Sequence, residues 1–176
     1  MQQRYQNTLN RNGYTLLELL IYIVIVSALL MTITTFFSLV AEARVKNQSI
    51  SEVNDQGAAI MDYITQTIRN ATSITAPATG SNAASLTLVV PTGSLSPTIF
   101  DASGSPSNIR VKEGAGAAIP LSANNIDVSG LNFRNLTRAG TNGIVQVQFT
   151  VSRVNPLNRN EYDYRKTFIS SAEVGK

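Results

Sequence analysis

The sequence predicts an α+β protein in which one long N-terminal helix packs on a C-terminal antiparallel β-sheet domain. The prediction depends on where the apolar residues fall. They form an uncharged run up to residue 40, then recur with the period of a helix up to residue 70, and afterwards alternate with a period of two. We therefore divide the chain of 176 residues into a leader (1–13), a membrane helix (14–40), an amphipathic continuation of that helix (41–70) and a β-rich globular domain (71–176).

The first two segments have the composition of an export signal followed by a membrane span. Residues 1–12 are polar and contain Arg4 and Arg11 but no acid. The run Leu19 to Val40 is 22 residues without a charge. As a helix it would be about 33 Å long, enough for a hydrocarbon core of about 30 Å. It is longer than the apolar part of a cleaved signal peptide, about 7–15 residues. We predict a single-pass membrane protein, and the positive charges narrowly favour a cytoplasmic N-terminus.

One carboxylate interrupts the apolar pattern. Glu18 is the only charge between Arg11 and Glu42. A charge at mid-bilayer costs about 2.5–3.5 kcal/mol on insertion scales, so an ionisable residue in a membrane helix is a functional candidate. The alternative is that Glu18 only caps the beginning of the helix, where the positive end of the helix dipole favours an acid.

Residues 11–18 read RNGYTLLE, and a long apolar run follows them. This segment resembles the N-terminus of type IV prepilins and type II secretion pseudopilins. The resemblance implies that a membrane-embedded prepilin peptidase cleaves between Gly13 and Tyr14, and that Tyr14 is then N-methylated. It also implies an assembly role for Glu18, which in this family pairs with the N-terminal amine of a neighbouring subunit. Glycine before the cut leaves room for the peptidase to approach the backbone.

The resemblance also implies a fold, a function and a location. The fold would be the pilin ladle, and the protein would be a structural subunit rather than an enzyme. Its partners would be other pilin or pseudopilin subunits, prepilin peptidase, membrane lipid and an assembly platform in the inner (cytoplasmic) membrane. The C-terminal domain would lie outside the cytoplasm before the subunit enters a pilus or pseudopilus.

The type of subunit is a finer prediction. The chain has no Cys, and its span has no Pro, which favours a minor subunit similar to J-type pseudopilins or PilW-like subunits. The alternative function is that of a tip pilin, whose loops bind a surface, DNA or a secreted substrate.

The segment 41–70 continues the helix as an amphipathic one. It contains no Pro, and its apolar positions recur with a helical period. The predicted stripe consists of Val45, Val53, Gly57, Ile60, Met61, Ile64 and Ile68. Gly57 marks a bend, a close backbone contact or merely a tolerated glycine.

The segment 71–176 is predicted to contain the strands. Residues 71–84 are expected to be a connection, 86–90 a strand and 92–107 a loop. Further strands are predicted at the following places: 108–112, from Ile126, from Leu131, at 143–154 and from Tyr162. The strand at 143–154 has the clearest alternation, and it should form a hairpin with the strand from Tyr162 across a loop at 155–160.

The composition argues against most chemical sites. Without Cys or His there is no Cys- or His-based zinc or iron–sulfur site, no disulfide and no Cys- or His-based catalytic site. Asp101 is a weak calcium candidate because calcium takes about six to eight oxygens. The fragment GAGAAI at 114–119 is expected to be a loop rather than a nucleotide site. We therefore expect no cofactor and no metal.

The net charge of +3 does not make a nucleic-acid footprint. Arg134, Arg138, Arg165 and Lys166 are expected to lie on a solvated face, although they could touch DNA in a competence pilin.

Overall fold

The computed structural model describes residues 13–175. Helix α1 runs over Leu16–Asn70, and antiparallel β-sheets follow it, so the predicted α+β fold is confirmed. The chain divides into two compact units, 1–42 and 43–176, and α1 contributes residues to both.

The part of α1 in the first unit is apolar on all sides. Its most apolar stretch has a mean hydropathy of 2.6, and none of that stretch is buried within the protein. The hydroxyl groups of this stretch donate hydrogen bonds to carbonyl oxygens of the same helix, from Ser27, Thr32, Thr34, Thr35 and Ser38. By length and composition, this helix can cross a membrane.

The part of α1 in the second unit is amphipathic, as predicted. Its buried residues are Ser49, Val53, Gly57, Ile60, Met61, Ile64, Thr65 and Ile68. Val45 was expected in this stripe, but it is only half-buried. Ser49 takes its place one turn later, and its hydroxyl is satisfied by the carbonyl of Val45 at 2.9 Å. A hydroxyl with a partner inside its own helix can be buried at little cost.

The strands of the second unit are, in chain order, β1 (Ser73–Ala76), β2 (Asn82–Ala83), β3 (Leu86–Val89), β4 (Thr98–Ser103), β5 (Asn108–Glu113), β6 (Ile119–Pro120), β7 (Ile126–Asn135), β8 (Ile144–Arg153) and β9 (Arg165–Glu173). They form a five-stranded sheet in the order β1-β3-β4-β5-β6 and a four-stranded sheet in the order β2-β7-β8-β9. Every neighbouring pair is antiparallel.

Two predictions for the strands before β5 were wrong. Residues 71–84 were expected to be a connection, but they contain β1 and β2. Residues 92–107 were expected to be a loop, but they contain β4, whose Thr98 and Phe100 are buried. The turn-forming residues in that stretch flank the strand instead of interrupting it: Pro97 precedes it, and Gly104 follows it with a φ of 104°.

The second sheet also differs from the prediction in two places. The two strands expected from Ile126 and Leu131 are one strand, β7, with an irregularity between Ser129 and Asn132. A bulge shifts the alternation by one residue, so the sequence looks like two strands. The predicted strand at 143–154 is confirmed as β8, and its residues Val145, Val147, Phe149 and Val151 are all buried.

The strand from Tyr162 starts later than predicted. Residues 160–162 form a 3-10 turn, and β9 begins only at Arg165, so the connection after β8 is longer than the expected 155–160. The Tyr162 ring lies beneath the Arg153 guanidinium, 4.7 Å from the ring centroid. Tyr162 thus lies in the turn before β9 and does not take part in the alternation of that strand.

Gly57 is a close contact between α1 and the second sheet. A Cβ atom at this position would lie 2.8 Å from Cδ2 of Phe168 on β9, and still closer to the far edge of the same ring. Of the three explanations for this glycine, the structure supports close packing.

Two side chains of α1 also bind the second sheet. Glu52 pairs with Arg153 at 2.8 Å between Oε2 and Nη1, and it accepts a second hydrogen bond from the Asn125 amide. Lys166 of β9 donates to Oδ1 of Asn54 at 2.8 Å.

Candidate assembly site at the beginning of the helix

Gly13 and Tyr14 precede the first helical turn. Both are exposed, with Tyr14 at 78% of its full surface, and neither belongs to a helix or a strand. Among residues 13–175, no atom lies within 4 Å of a Cβ added at Gly13, so packing against this part of the chain does not require glycine there. Packing within the described residues therefore does not cover the peptide bond between these two residues. The rest of the predicted leader lies outside the described residues.

Helix α1 begins with a hydroxyl cap. Thr15 precedes the first helical residue, and its Oγ1 accepts the backbone N–H of Glu18 at 3.2 Å. This is the threonine half of a capping box, in which Thr and Glu stand three residues apart. Glu18 therefore lies in the first turn, where the helix dipole favours a negative charge. The structure thus gives the capping explanation of Glu18 a physical basis.

The Glu18 carboxylate contacts a residue that we did not single out from the sequence. The Tyr22 hydroxyl donates to Oε1 of Glu18 at 3.1 Å. The rings of Tyr14 and Tyr22 also meet edge to face, with centroids 6.4 Å apart and planes at 77°. Because residues four apart are neighbours on a helix, the spacing of Glu18 and Tyr22 was the signal that could have indicated this contact.

The structure does not support Asp101 as a calcium ligand. Arg110 donates to both carboxylate oxygens of Asp101, at 2.9 and 2.8 Å, across the β4–β5 pair. That carboxylate is therefore occupied by a guanidinium. Within residues 13–175, no group of three or more acidic residues lies close enough to hold a metal ion.

The structure also gives no support to a nucleotide site at 114–119 or to a DNA-binding patch of basic residues. Gly114 lies in the turn after β5 with a φ of 53°, as expected for a loop. The basic residues do not form one patch. In the register of the sheet, Arg134 lies opposite Gln146 near one end of β8, and Arg165 lies opposite Ser152 near the other end. Six residues of strand separate these positions by about 20 Å.

An open groove of about 700 Å³ lies at the C-terminal end of α1, between that end and the connection from β3 to β4. Tyr63, Arg69 and Glu113 are among the polar residues that line it, and Leu95 is among the apolar ones. The Tyr63 hydroxyl donates to Oε1 of Glu113 at 3.3 Å. Burial, and then the nearby Glu113 charge, raise the pKa of Tyr63 above its ordinary value of 10.0.

Comparison with known families supports one class of protein. The profile of the prokaryotic N-terminal methylation motif matches residues 8–34. No curated protein and no solved structure matches the chain. The motif supports the class of type IV pilins and pseudopilins, which assemble with other pilin subunits and are processed by prepilin peptidase. A structural family of this type fits a protein that is not an enzyme.

The match and the helix fit the same location. The motif lies across the beginning of α1, and the long apolar helix fits a protein anchored in the inner membrane.

Proposed function

We propose that this chain is a structural subunit of a type IV pilus or a type II secretion pseudopilus, and that it enters the filament through the first part of α1. The methylation motif at 8–34 is the observation that carries the proposal. The placement of Glu18 supports it, because Glu18 is the only charge between Arg11 and Glu42 and lies within the matched motif.

The first step of the proposed function is cleavage between Gly13 and Tyr14 by prepilin peptidase, followed by N-methylation of Tyr14. The exposed backbone at this position supports that step. Mass spectrometry of the protein from cells that contain an active prepilin peptidase should find an N-terminus at Tyr14 with one added methyl group. Gly13→Leu should block the cut, because its side chain would meet the peptidase where glycine leaves space. A terminus at Met1 in those cells would refute the processing step.

The second step is pairing of the new Tyr14 amine with Glu18 of a neighbouring subunit. Opposite charges attract far more strongly in a medium of low dielectric than in water, and either charge is costly there alone. The pair would therefore define the register in which the helices pack, and it would explain why the span retains an acid that makes insertion harder.

The proposal is tested by Glu18→Ala in the native background, with the subunit quantified in sheared filaments and in membranes. We expect normal insertion and near-normal cleavage, but a strongly reduced share in filaments. Glu18→Gln should behave in the same way if the charge is what matters. If the alanine variant enters filaments at the wild-type level, Glu18 only caps the helix and has no assembly role.

We further propose a minor role in the filament, with a C-terminal domain outside the cytoplasm. The lack of Cys and the lack of Pro in the span support the minor role, and the positive charges around the span favour the orientation. Quantitative mass spectrometry of sheared filaments would give the copy number relative to the most abundant subunit. A ratio near one would contradict the minor role, and about one copy per filament would favour the tip position.

A further inference from the structure

We propose that Tyr22 is a positioning residue for assembly: it holds one oxygen of the Glu18 carboxylate and leaves the other to receive the amine of the neighbouring subunit. The inference rests on the proposed function, because it assigns Glu18 its assembly role. It adds a residue that the methylation motif does not explain and that acts through Glu18.

The geometry that carries the proposal is a contact between neighbouring turns. In a helix the Cβ atoms tilt toward the N-terminus, so a long side chain at position 22 lies over the turn that contains position 18. The Tyr22 hydroxyl uses this direction to donate to Oε1 of Glu18 at 3.1 Å. Among residues 13–175, this hydroxyl is the one hydrogen-bond donor on the Glu18 carboxylate, so Oε2 is left available.

The surroundings make this contact more than a surface hydrogen bond. Tyr22 is the only polar residue between Glu18 and Ser27, in the sequence LLIYIVIVS. In hydrocarbon a hydroxyl without a partner is costly, and a carboxylate without one is costlier still. Each group satisfies the other, so both have a physical reason to stay together.

The Tyr14 ring restricts the other side of Tyr22. Its edge-to-face contact, with centroids 6.4 Å apart, packs against the phenol that holds Glu18. A ring with a neighbour on one side and a hydrogen bond at its tip loses much of its freedom to change rotamer. Glu18 would therefore be presented in one orientation, which shortens the search for the incoming amine.

A simpler explanation is that Tyr22 only anchors the helix at the membrane surface, as aromatic residues often do. The two explanations differ in one respect. A positioning residue acts through Glu18 and loses its effect when Glu18 is removed, whereas an anchor acts independently, and its effect adds to that of Glu18.

The test uses the full chain in its native background as wild type, Tyr22→Phe, Glu18→Ala and the double variant. Tyr22→Phe removes one hydroxyl and keeps the ring. We expect it to lower the share of subunit in sheared filaments by roughly two- to tenfold, the range for loss of one ordinary intramolecular hydrogen bond. The double variant should match Glu18→Ala. Thr32→Val is the matched control, because it removes a hydroxyl that bonds only to the helix carbonyl of Leu29.

A second measurement reports the contact itself. Infrared spectra of the detergent-solubilised full chain with ¹³C-labelled glutamate, minus those of Glu18→Gln, isolate the carboxylate stretch of Glu18. Tyr22→Phe should move this band, whereas Thr32→Val should leave it in place. A band unmoved by Tyr22→Phe would overturn the proposal, even if Glu18→Ala left no filaments in which to compare the double variant.

The outcomes separate this inference from the proposed function. If Tyr22→Phe assembles at the wild-type level while Glu18→Ala is impaired, the inference fails and the function stands. A double variant clearly worse than Glu18→Ala would identify Tyr22 as an anchor. If Glu18→Ala itself assembles normally, the assembly role of Glu18 and the inference fail together.

Discussion

Replacing Gly57 by valine should destabilise the second unit, because the site has no room for a side chain. An added Cβ would overlap the ring of Phe168. That ring stacks on Phe149, with centroids 5.7 Å apart and planes at 22°, and Phe149 is fully buried. The Phe168 ring therefore cannot move toward Phe149 without disturbing the core. Overpacking of this kind costs about 1–3 kcal/mol, and the better helix propensity of valine recovers only a few tenths.

The assay is thermal unfolding of residues 41–176, which we expect to fold without the membrane span. A loss of about 1–3 kcal/mol in a domain of this size corresponds to a fall in Tm of roughly 3–12 °C. Ala59→Val is the control, because Ala59 is exposed on the same helix and this change costs only helix propensity, about 0.5 kcal/mol. Adding Phe168→Leu to Gly57→Val should recover part of the loss.

The steric argument would be refuted by a single comparison. If Gly57→Val unfolds at or above the Tm of Ala59→Val, the contact with Phe168 does not explain why this position is glycine.

Two further predictions concern side chains of the second unit. Arg153→Ala removes the partner of Glu52, and since both side chains are about three-quarters buried or more, at 21% and 25% exposure, we expect urea unfolding to show a loss of about 1–2 kcal/mol. Arg165→Ala removes only an exposed pair with Asp163 at 4.0 Å, so it should change stability by less than about 0.5 kcal/mol, and equal losses for the two variants would contradict the assignment. The pKa of Tyr63 is higher in the folded protein than its ordinary value of 10.0, so the folded state favours the neutral phenol. The resulting contribution to the free energy of unfolding is fully present below pH 10.0 and is lost as the pH rises through the pKa of the folded state. Tyr63→Phe should therefore lose less stability above pH 10 than wild type, as measured by urea unfolding across that range, and parallel curves would show that this titration is not linked to folding.

The parts of the fold that the sequence could predict are those where one pattern decides the outcome. The stripe from Val53 to Ile68 was predictable because burial on one side of a helix imposes a period that no strand shares. Strand β8 was predictable because its buried and exposed residues alternate without interruption. Strand β4 was missed because Pro97 and Gly104 stand close around it, and their turn signals outweigh a strand of six residues.

The contacts between distant residues could not be predicted in the same way. Arg153 and Glu52 are 101 positions apart, and only the folded sheet brings them to 2.8 Å. For the candidate site, Gly13, Tyr14 and Glu18 came from a motif whose residues are contiguous. The Tyr22 contact depends on side-chain rotamers, and many pairs four residues apart on a helix never form a hydrogen bond.

The buried stripe of α1 has a mechanical consequence for a subunit held in a filament by its N-terminal helix. Tension directed along the axis of the helix segment in the second unit would then reach the β-domain. The stripe from Ser49 to Ile68 extends for about 28 Å along that axis. A pull in this direction loads its contacts in shear, so they must yield together rather than one after another. The Glu52–Arg153 pair lies near the end of the stripe where the force enters, and it would be among the first bonds to carry the load.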